Sequence, residues 1–298
     1  MDTILKTNSL IKKYGEITVL NNINMTIKRG DIYGFVGKNG AGKTTFMRTV
    51  LSLTNPTSGE ITLFGDKAIE EVGLRVGSLI EAPGLYKNAT AYENLKRFSI
   101  IYGADEDKIP EILELVGLAN TGKKKAKDFS LGMRQRLGIA IALLGEPELL
   151  LLDEPINGLD PAGIKDIRDL ILKLNKEQHI TILISSHILD ELSKVVTKYG
   201  IINNGKMVEE ITAKELHEKC KQKLLLEVDN TEKAKKIISK IIPEKSIQIK
   251  SEFEIEIYSQ IEKAAEMNTA LVKGGIKVSA IYPSTDTLEE YFMRRIGE

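Results

Sequence analysis

The sequence predicts an α/β nucleotide-type domain followed by a small α+β module, and three observations carry that reading. Short, continuous apolar runs occur at Ile32–Val36, Glu148–Leu152 and Ile180–Ser185, as in parallel strands covered on both faces. Of the 24 glycines, 21 lie in the first 217 residues, which marks the tail as a different module. The tail itself reads β-α-β-β-α-β, the split-βαβ order. The expected domains are therefore 1–217 and 218–298, divided in the charged stretch around residues 218–223.

The elements follow in order. Ile4–Ile11, Thr18–Ile27 and Gly59–Phe64 are β-like segments separated by turn signals such as Tyr14-Gly15 and Arg29-Gly30. Ile32–Val36 is a buried strand that runs into a glycine-rich loop and then a helix from about Lys43. Ala91 to Leu144 has helical spacing. Pro161–Leu174 reads as a crossover helix, with Pro161 suited to its first turn. In the tail, Leu224–Val228 is strand-like, and Ile237, Ile238, Ile241 and Ile242 keep helical spacing. Phe253, Ile255 and Ile257 alternate with acids, which predicts an apolar face and a solvent face. Ile261–Lys273 is helical and stops at Gly274-Gly275. A last strand, Ile276–Ile281, and a last helix, Thr287–Arg295, close the chain.

Composition excludes several functions. Lys+Arg and Asp+Glu are both 42 in 298 residues, so no basic field invites nucleic acid. A single cysteine, Cys220, can form neither an internal disulfide nor a metal cluster. No apolar run approaches the ~18–20 residues that span a bilayer. Any work at a membrane then calls for a separate membrane protein.

Residues 37–44, G-K-N-G-A-G-K-T, fill the pattern G-x-x-x-x-G-K-[ST] between a strand and a helix. Gly37, Gly40 and Gly42, with Lys38, Asn39 and Ala41, form a loop whose backbone N–H groups can converge on phosphate oxygens. The helix beginning at Lys43 adds its positive end, with Thr45 in its first turn. Lys43 supplies a charge to the β- and γ-phosphates, and Thr44 is placed to ligate Mg²⁺. At 149–154, L-L-L-L-D-E, Asp153 ends a buried strand and can hold the magnesium shell. Glu154 follows as the candidate general base for attacking water.

Further residues narrow the class. The segment 129–136, F-S-L-G-M-R-Q-R, lies ahead of Asp153 and resembles the signature motif of ABC-type ATPases, commonly L-S-G-G-Q-R-Q-R. Ser130, Gly132, Arg134, Gln135 and Arg136 match it; Phe129, Leu131 and Met133 depart. Asn157 to Pro161 is similar to the family's D-loop, and Ser185-Ser186-His187 to its switch-histidine segment. Tyr14 stands where the family stacks a ring on adenine. The resemblance covers residues 14–187 and implies a mixed-sheet core with a helical subdomain at about 85–145. It implies ATP and Mg²⁺ as ligands and two nucleotide domains packed head to tail, a homodimer by default. Ser130, Leu131, Gly132 and Met133 would then face ATP bound to the other copy. His187 would contact the γ-phosphate, and Asp160 would couple the two sites.

Glu81, in V-G-S-L-I-E-A-P-G-L-Y, occupies the position where the family usually has glutamine, in a loop that reaches magnesium and the membrane subunit. With S-L-G-M-R-Q-R and the tail segment P-S-T-D-T-L-E-E-Y-F (283–292), it resembles the ATPase subunits of bacitracin-resistance and lantibiotic-immunity exporters. Glu81 is then expected to ligate Mg²⁺ directly or through water and to tune coupling, and the resemblance implies that the chain powers a separate permease from the cytoplasmic face of the cell membrane. It also implies export of a peptide antibiotic or another amphiphile. Two rivals are a soluble ABC protein acting on ribosomes or DNA, and a non-ABC P-loop kinase or GTPase. The chain has one set of each key motif, no sustained heptads and no basic surplus, which disfavours the first; the second leaves the signature and His187 unexplained.

Overall fold

The computed structural model describes residues 2–65, 72–220, 222–285 and 287–296. Lys221, in the charged stretch, and Asp286, in the tail segment, lie outside the described residues. The chain divides into two compact units, 1–214 and 215–298, three residues before the boundary expected from glycine content.

The first unit holds two sheets. Strands β1 (Thr3–Tyr14), β2 (Ile17–Lys28) and β4 (Ser58–Leu63) form an antiparallel sheet in the order β2-β1-β4. Leu5, Leu10, Leu20, Ile23 and Ile27 on its inner face are fully buried. The second sheet has the order β5-β6-β7-β3-β8-β9. It contains β3 (Ile32–Val36), β5 (Val76–Leu79), β6 (Leu149–Asp153), β7 (Thr181–Ser186), β8 (Lys198–Asn203) and β9 (Lys206–Thr212). The first five run parallel, and β9 pairs antiparallel with β8. Every residue of β3, β6 and β7 is buried. At about 1.5–3 kcal/mol for each large aliphatic side chain withdrawn from water, these runs favour central strands over any exposed position.

Strands β3, β6 and β7 are neighbours, although 112 residues separate Val36 from Glu148 in the chain. Their carboxyl ends therefore open together, where an α/β sheet binds its ligand. The hairpin β8-β9 turns on Asn204-Gly205, with φ 47° and 73°, the two left-handed residues of a type I′ turn.

Helices Ala91–Tyr102, Ile109–Leu115 and Leu131–Leu143 occupy the stretch expected to be a helical subdomain. The first opens with a complete capping box: Thr90 Oγ1 accepts from Glu93 N, and the Glu93 carboxylate accepts from Thr90 N.

The second unit is an antiparallel sheet in the order β11-β12-β10-β13, from β10 (Gln222–Val228), β11 (Ile247–Ile249), β12 (Glu254–Ile257) and β13 (Val278–Thr285). Helices Thr231–Ile238 and Ala264–Lys273 complete the β-α-β-β-α-β order. Leu224, Leu226, Ile255, Ile257, Ala234, Ile238, Met267 and Leu271 share its core. The alternation expected for β12 holds on one face only. Phe253 precedes the strand and is exposed, whereas Glu256, expected toward solvent, is 3% exposed. It is buried beside Lys223, whose ammonium also reaches Glu290 of the last helix, Leu288–Ile296.

Candidate functional site

The loop from Gly37 to Gly42 leaves β3 and enters helix Lys43–Val50. A side chain at Gly37 would put Cβ 2.6 Å from the Ile202 carbonyl oxygen. At Gly42, φ is 109° and Cβ would come within 3.0 Å of the Val19 carbonyl oxygen. Only glycine fits both places, and the tight course turns the loop onto the helix N-terminus. No side chain caps that N-terminus. Helices Ala91–Tyr102, Leu131–Leu143 and Pro161–Glu177 are each capped, by Thr90, Ser130 and Asp160. The P-loop helix thus keeps its first N–H groups for something other than its own chain. Lys38, Asn39 and Gly40 are exposed at the tip, and Ala41 is buried beneath.

Lys43 is buried, and its ammonium donates to the carbonyl oxygens of Gly37 at 2.6 Å and Lys38 at 3.2 Å. It also lies 3.1 Å from Glu154 Oε1. That contact is ionic and poorly directed, for the buried Glu154 Oε1 accepts no hydrogen bond. Thr44 Oγ1 donates to Asp153 Oδ2 at 2.6 Å, and Thr45, partly buried, has its carbonyl bonded by the Thr49 hydroxyl.

The ends of β6 and β7 are laced together. Ser185 Oγ donates to Asp153 Oδ1 at 2.6 Å and accepts from the Glu154 backbone N–H at 2.9 Å. Strand β6 ends there because Glu154 adopts φ 48°, a left-handed conformation strained for a non-glycine residue. The turn aims its carboxylate at Lys43 on one side and His187 on the other, with His187 Nδ1 2.8 Å from Glu154 Oε2. Sequence reasoning grouped Ser185 only with the switch segment and missed this bridge. A hydroxyl ending a fully buried strand was the available signal, because a buried hydroxyl needs a partner.

Tyr14, 49% exposed, ends β1 with the Lys12 ammonium 4.7 Å from its ring centroid. An exposed, cation-backed ring is a suitable platform for a flat heterocycle.

Ser130, Leu131, Gly132, Met133 and Asp160 form a second group. The Ser130 hydroxyl accepts from Met133 N at 3.2 Å, and Asp160 Oδ1 accepts from Gly163 N at 3.1 Å. Leu131 lies over Gly158 of the D-loop, and Gly132 faces Leu159 and Gly163. The signature departure Leu131 is thus seated on its own chain's D-loop while remaining 37% exposed. The Met133 sulfur faces the Lys124 ammonium.

Glu81, expected to share magnesium with Thr44 and Asp153, is paired with Arg48. Its Oε1 is 2.6 Å from Arg48 Nη2, and its φ is 61°. A second residue the sequence left unmarked is Asn94, fully buried, which holds the loop after Glu81. Its Oδ1 accepts from Tyr86 N at 2.8 Å, and its amide donates to the carbonyls of Tyr86 and Thr90. A polar residue between Ala91 and Leu95 on a buried helix face was the signal for it.

The chain is similar to known proteins along its whole length. The family model for ABC transporters matches residues 20–157. The bacitracin transport ATP-binding protein BcrA of Bacillus licheniformis is 46% identical over 301 residues, spanning 100% of this chain and 98% of that protein. The chain belongs to the ABC transporter ATP-binding family. The lantibiotic transport ATP-binding protein SrtF of Streptococcus pyogenes is 46% identical over 69% of this chain and 89% of its own length. Among solved structures, cbiO1 of Clostridium perfringens, part of the ABC transporter complex cbiONQ, superposes with a TM-score of 0.66 at 26% identity. It covers 82% of this chain and 97% of its own. A dimeric ATP-binding cassette in a post-hydrolysis state, bound to ADP and Pi, gives a TM-score of 0.62 at 26% identity, covering 70% and 99%. The cassette is an ATPase by family. Among the described residues no helix is long and apolar enough to cross a membrane.

Proposed function

We propose that the cassette hydrolyses Mg-ATP at the mouth of β3, β6 and β7 to power a separate membrane permease that exports a peptide antibiotic or similar amphiphile. The observation that carries the cargo class is the similarity to a bacitracin transport ATP-binding protein along the whole chain, second unit included. The work is assigned to the cytoplasmic face of the cell membrane, since ATP is the fuel and the permease must span the bilayer.

The residues have the chemistry this reading needs. The phosphates would displace Lys43 from the Gly37 and Lys38 carbonyls, which occupy its ammonium only until a stronger acceptor arrives. Thr44 and Asp153 offer a hydroxyl and a carboxylate, the hard oxygen donors Mg²⁺ takes alongside phosphates and water. Glu81 completes the proposed magnesium set. When bound, the ion would neutralise charge developing on the transferred phosphoryl group. Glu154 accepts the proton of the attacking water; its unbonded Oε1 is the acceptor left for it. His187 orients Glu154 and the γ-phosphate, and Tyr14 stacks on adenine.

Ser130 and the N–H of Gly132 serve ATP on the opposite copy, with Leu131 and Met133 facing it beside them. Asp160, beside them, passes closure from one site to the other. Two copies of this chain suffice, because both halves of the composite site are present in it. The second unit is assigned an accessory role, and the loop from Glu81 to Tyr86, with the helical region after Ala91, is assigned the contact with the permease.

The test is capture of tagged Glu154→Gln protein from gently solubilised cells with Mg-ATP present. A polytopic membrane protein recovered with it supports the proposal. Ribosomal or nucleic-acid partners without a permease overturn it.

A further inference from the structure

The contact between Arg48 and Glu81 has a geometry that the magnesium assignment alone does not account for. Arg48 follows Thr44 by four residues on helix Lys43–Val50, so the two side chains leave one face of the helix a turn apart. Each holds a carboxylate at 2.6 Å: Thr44 holds Asp153, and Arg48 holds Glu81. The two carboxylates come from neighbouring strand ends, since Asp153 ends β6 and Glu81 stands two residues past β5, which pairs with β6. Glu81 is therefore held by a residue rooted about one helical turn, roughly 5 Å, farther along the helix from the P-loop than Thr44. Its left-handed backbone is strained, and the Arg48 and Glu81 side chains are 42% and 59% exposed. An exposed ion pair is weak in water, which suits a hold that must be broken on every cycle.

We propose that Arg48 is a positioning residue that parks Glu81 one turn below the Thr44–Asp153 pair, competing with the magnesium position for its carboxylate. The proposal rests on the assignment of Thr44, Asp153 and Glu81 to Mg²⁺. Loading the nucleotide then moves the coupling loop along the P-loop helix, and product release returns it to Arg48.

Two readouts test this without turnover. The first is Mn²⁺ binding to ADP-saturated protein, followed by electron paramagnetic resonance of the free ion. Arg48→Gln is expected to tighten Mn²⁺ by about two- to fivefold, the range an exposed ion pair can supply. Arg48→Lys is expected to stay near the parent, and high salt to narrow the difference. Glu81→Gln is expected to weaken Mn²⁺, and adding Arg48→Gln to it to change nothing further. If Arg48→Gln tightens Mn²⁺ equally in the Glu81→Gln background, Arg48 acts as a distant charge and the proposal fails. If Arg48→Gln has no effect while Glu81→Gln weakens Mn²⁺, the parking contact fails and the magnesium assignment stands. If Glu81→Gln has no effect, that assignment fails and takes the proposal with it.

The second readout uses the absence of tryptophan from the chain. Tyr86→Trp places a single tryptophan, excited apart from the tyrosines, in the loop after Glu81. Its emission is expected to shift on adding Mg-ADP, and to lie already near the shifted value in nucleotide-free protein that also carries Arg48→Gln. Identical nucleotide-free emission with and without Arg48→Gln overturns the proposal.

Discussion

Two buried lysines, each set among carboxylates, behave in opposite ways. Lys223 in the second unit is satisfied on every side the structure describes: Glu256 at 2.6 Å, Glu290 at 3.1 Å, and a Glu256 carboxylate that also receives Tyr258 and Lys250. Burial opposes charge on Lys223, yet its hydrogen bonds to Glu256 and Glu290 raise its pKa. Lys43 in the first unit borrows two backbone carbonyls of its own loop and lies near a glutamate oxygen that accepts no hydrogen bond. A complete polar network fixes a structure, and an incomplete one is held ready for a ligand. The strained φ of 48° at Glu154, next to Lys43, points the same way.

The contrast breaks first at Glu154. Glu154→Gln keeps the shape but removes the proton acceptor, so phosphate release at saturating Mg-ATP is expected to fall by about 100-fold or more, with nucleotide binding retained. Next come the two lysines themselves. Lys223→Ala leaves Glu256 buried without its main partner and should cost about 3–5 kcal/mol of second-unit stability, read by denaturant unfolding. Lys43→Ala should alter nucleotide-free stability by less than about 1 kcal/mol while weakening ATP binding about tenfold or more, measured by calorimetry. Equal stability losses for the two lysines would erase the distinction.

A smaller effect is expected at Tyr14. Tyr14→Ala should weaken ATP about tenfold, at the scale of one base–aromatic stack, and Tyr14→Phe should not. The smallest effect is the pH dependence of the second unit. Burial raises the Glu256 and Glu290 pKa values, but hydrogen bonds outweigh it and both are lowered: from Lys223, Tyr258 and Lys250 to Glu256, and from Thr287 and Lys223 to Glu290. A lowered folded-state pKa stabilises above the ordinary carboxylate value and is lost as pH falls through the folded value. For Lys223 the sign reverses: its contribution is present below the ordinary lysine value and lost at higher pH. Second-unit stability should therefore be flat between about pH 5 and pH 10 and fall outside that range. Lys223→Met should flatten the alkaline limb.

Much of this was legible in the sequence. Ile32–Val36, the helix start at Lys43 and the leucine run to Asp153 are local patterns, and the structure puts each in place. The βαββαβ tail was legible because its apolar periods switch cleanly between strand and helix. Glu256 was misread because its buried partner is Lys223, 33 residues earlier on β10, a pairing that no local period encodes. The β8-β9 hairpin carried a readable Asn204-Gly205 turn signal that went unused. At the site, the residue types in the motifs announced phosphate chemistry, whereas Ser185 between Asp153 and Glu154, Asn94 on the loop after Glu81, and Arg48 on Glu81 needed three dimensions. Ser185 and Arg48 join segments that only the fold brings together, whereas Asn94 acts within eight residues of itself, through a loop course that no period encodes.

The central claim is that this cassette hydrolyses ATP at a site completed by a second copy, with Glu154 as base. The most direct measurement is phosphate release per protomer as a function of protein concentration at saturating Mg-ATP. The account predicts that the rate per protomer rises with concentration and levels off as pairs form, and that Glu154→Gln stays at baseline throughout. A rate per protomer that is independent of concentration from the most dilute sample upward, or one that Glu154→Gln leaves intact, would contradict it.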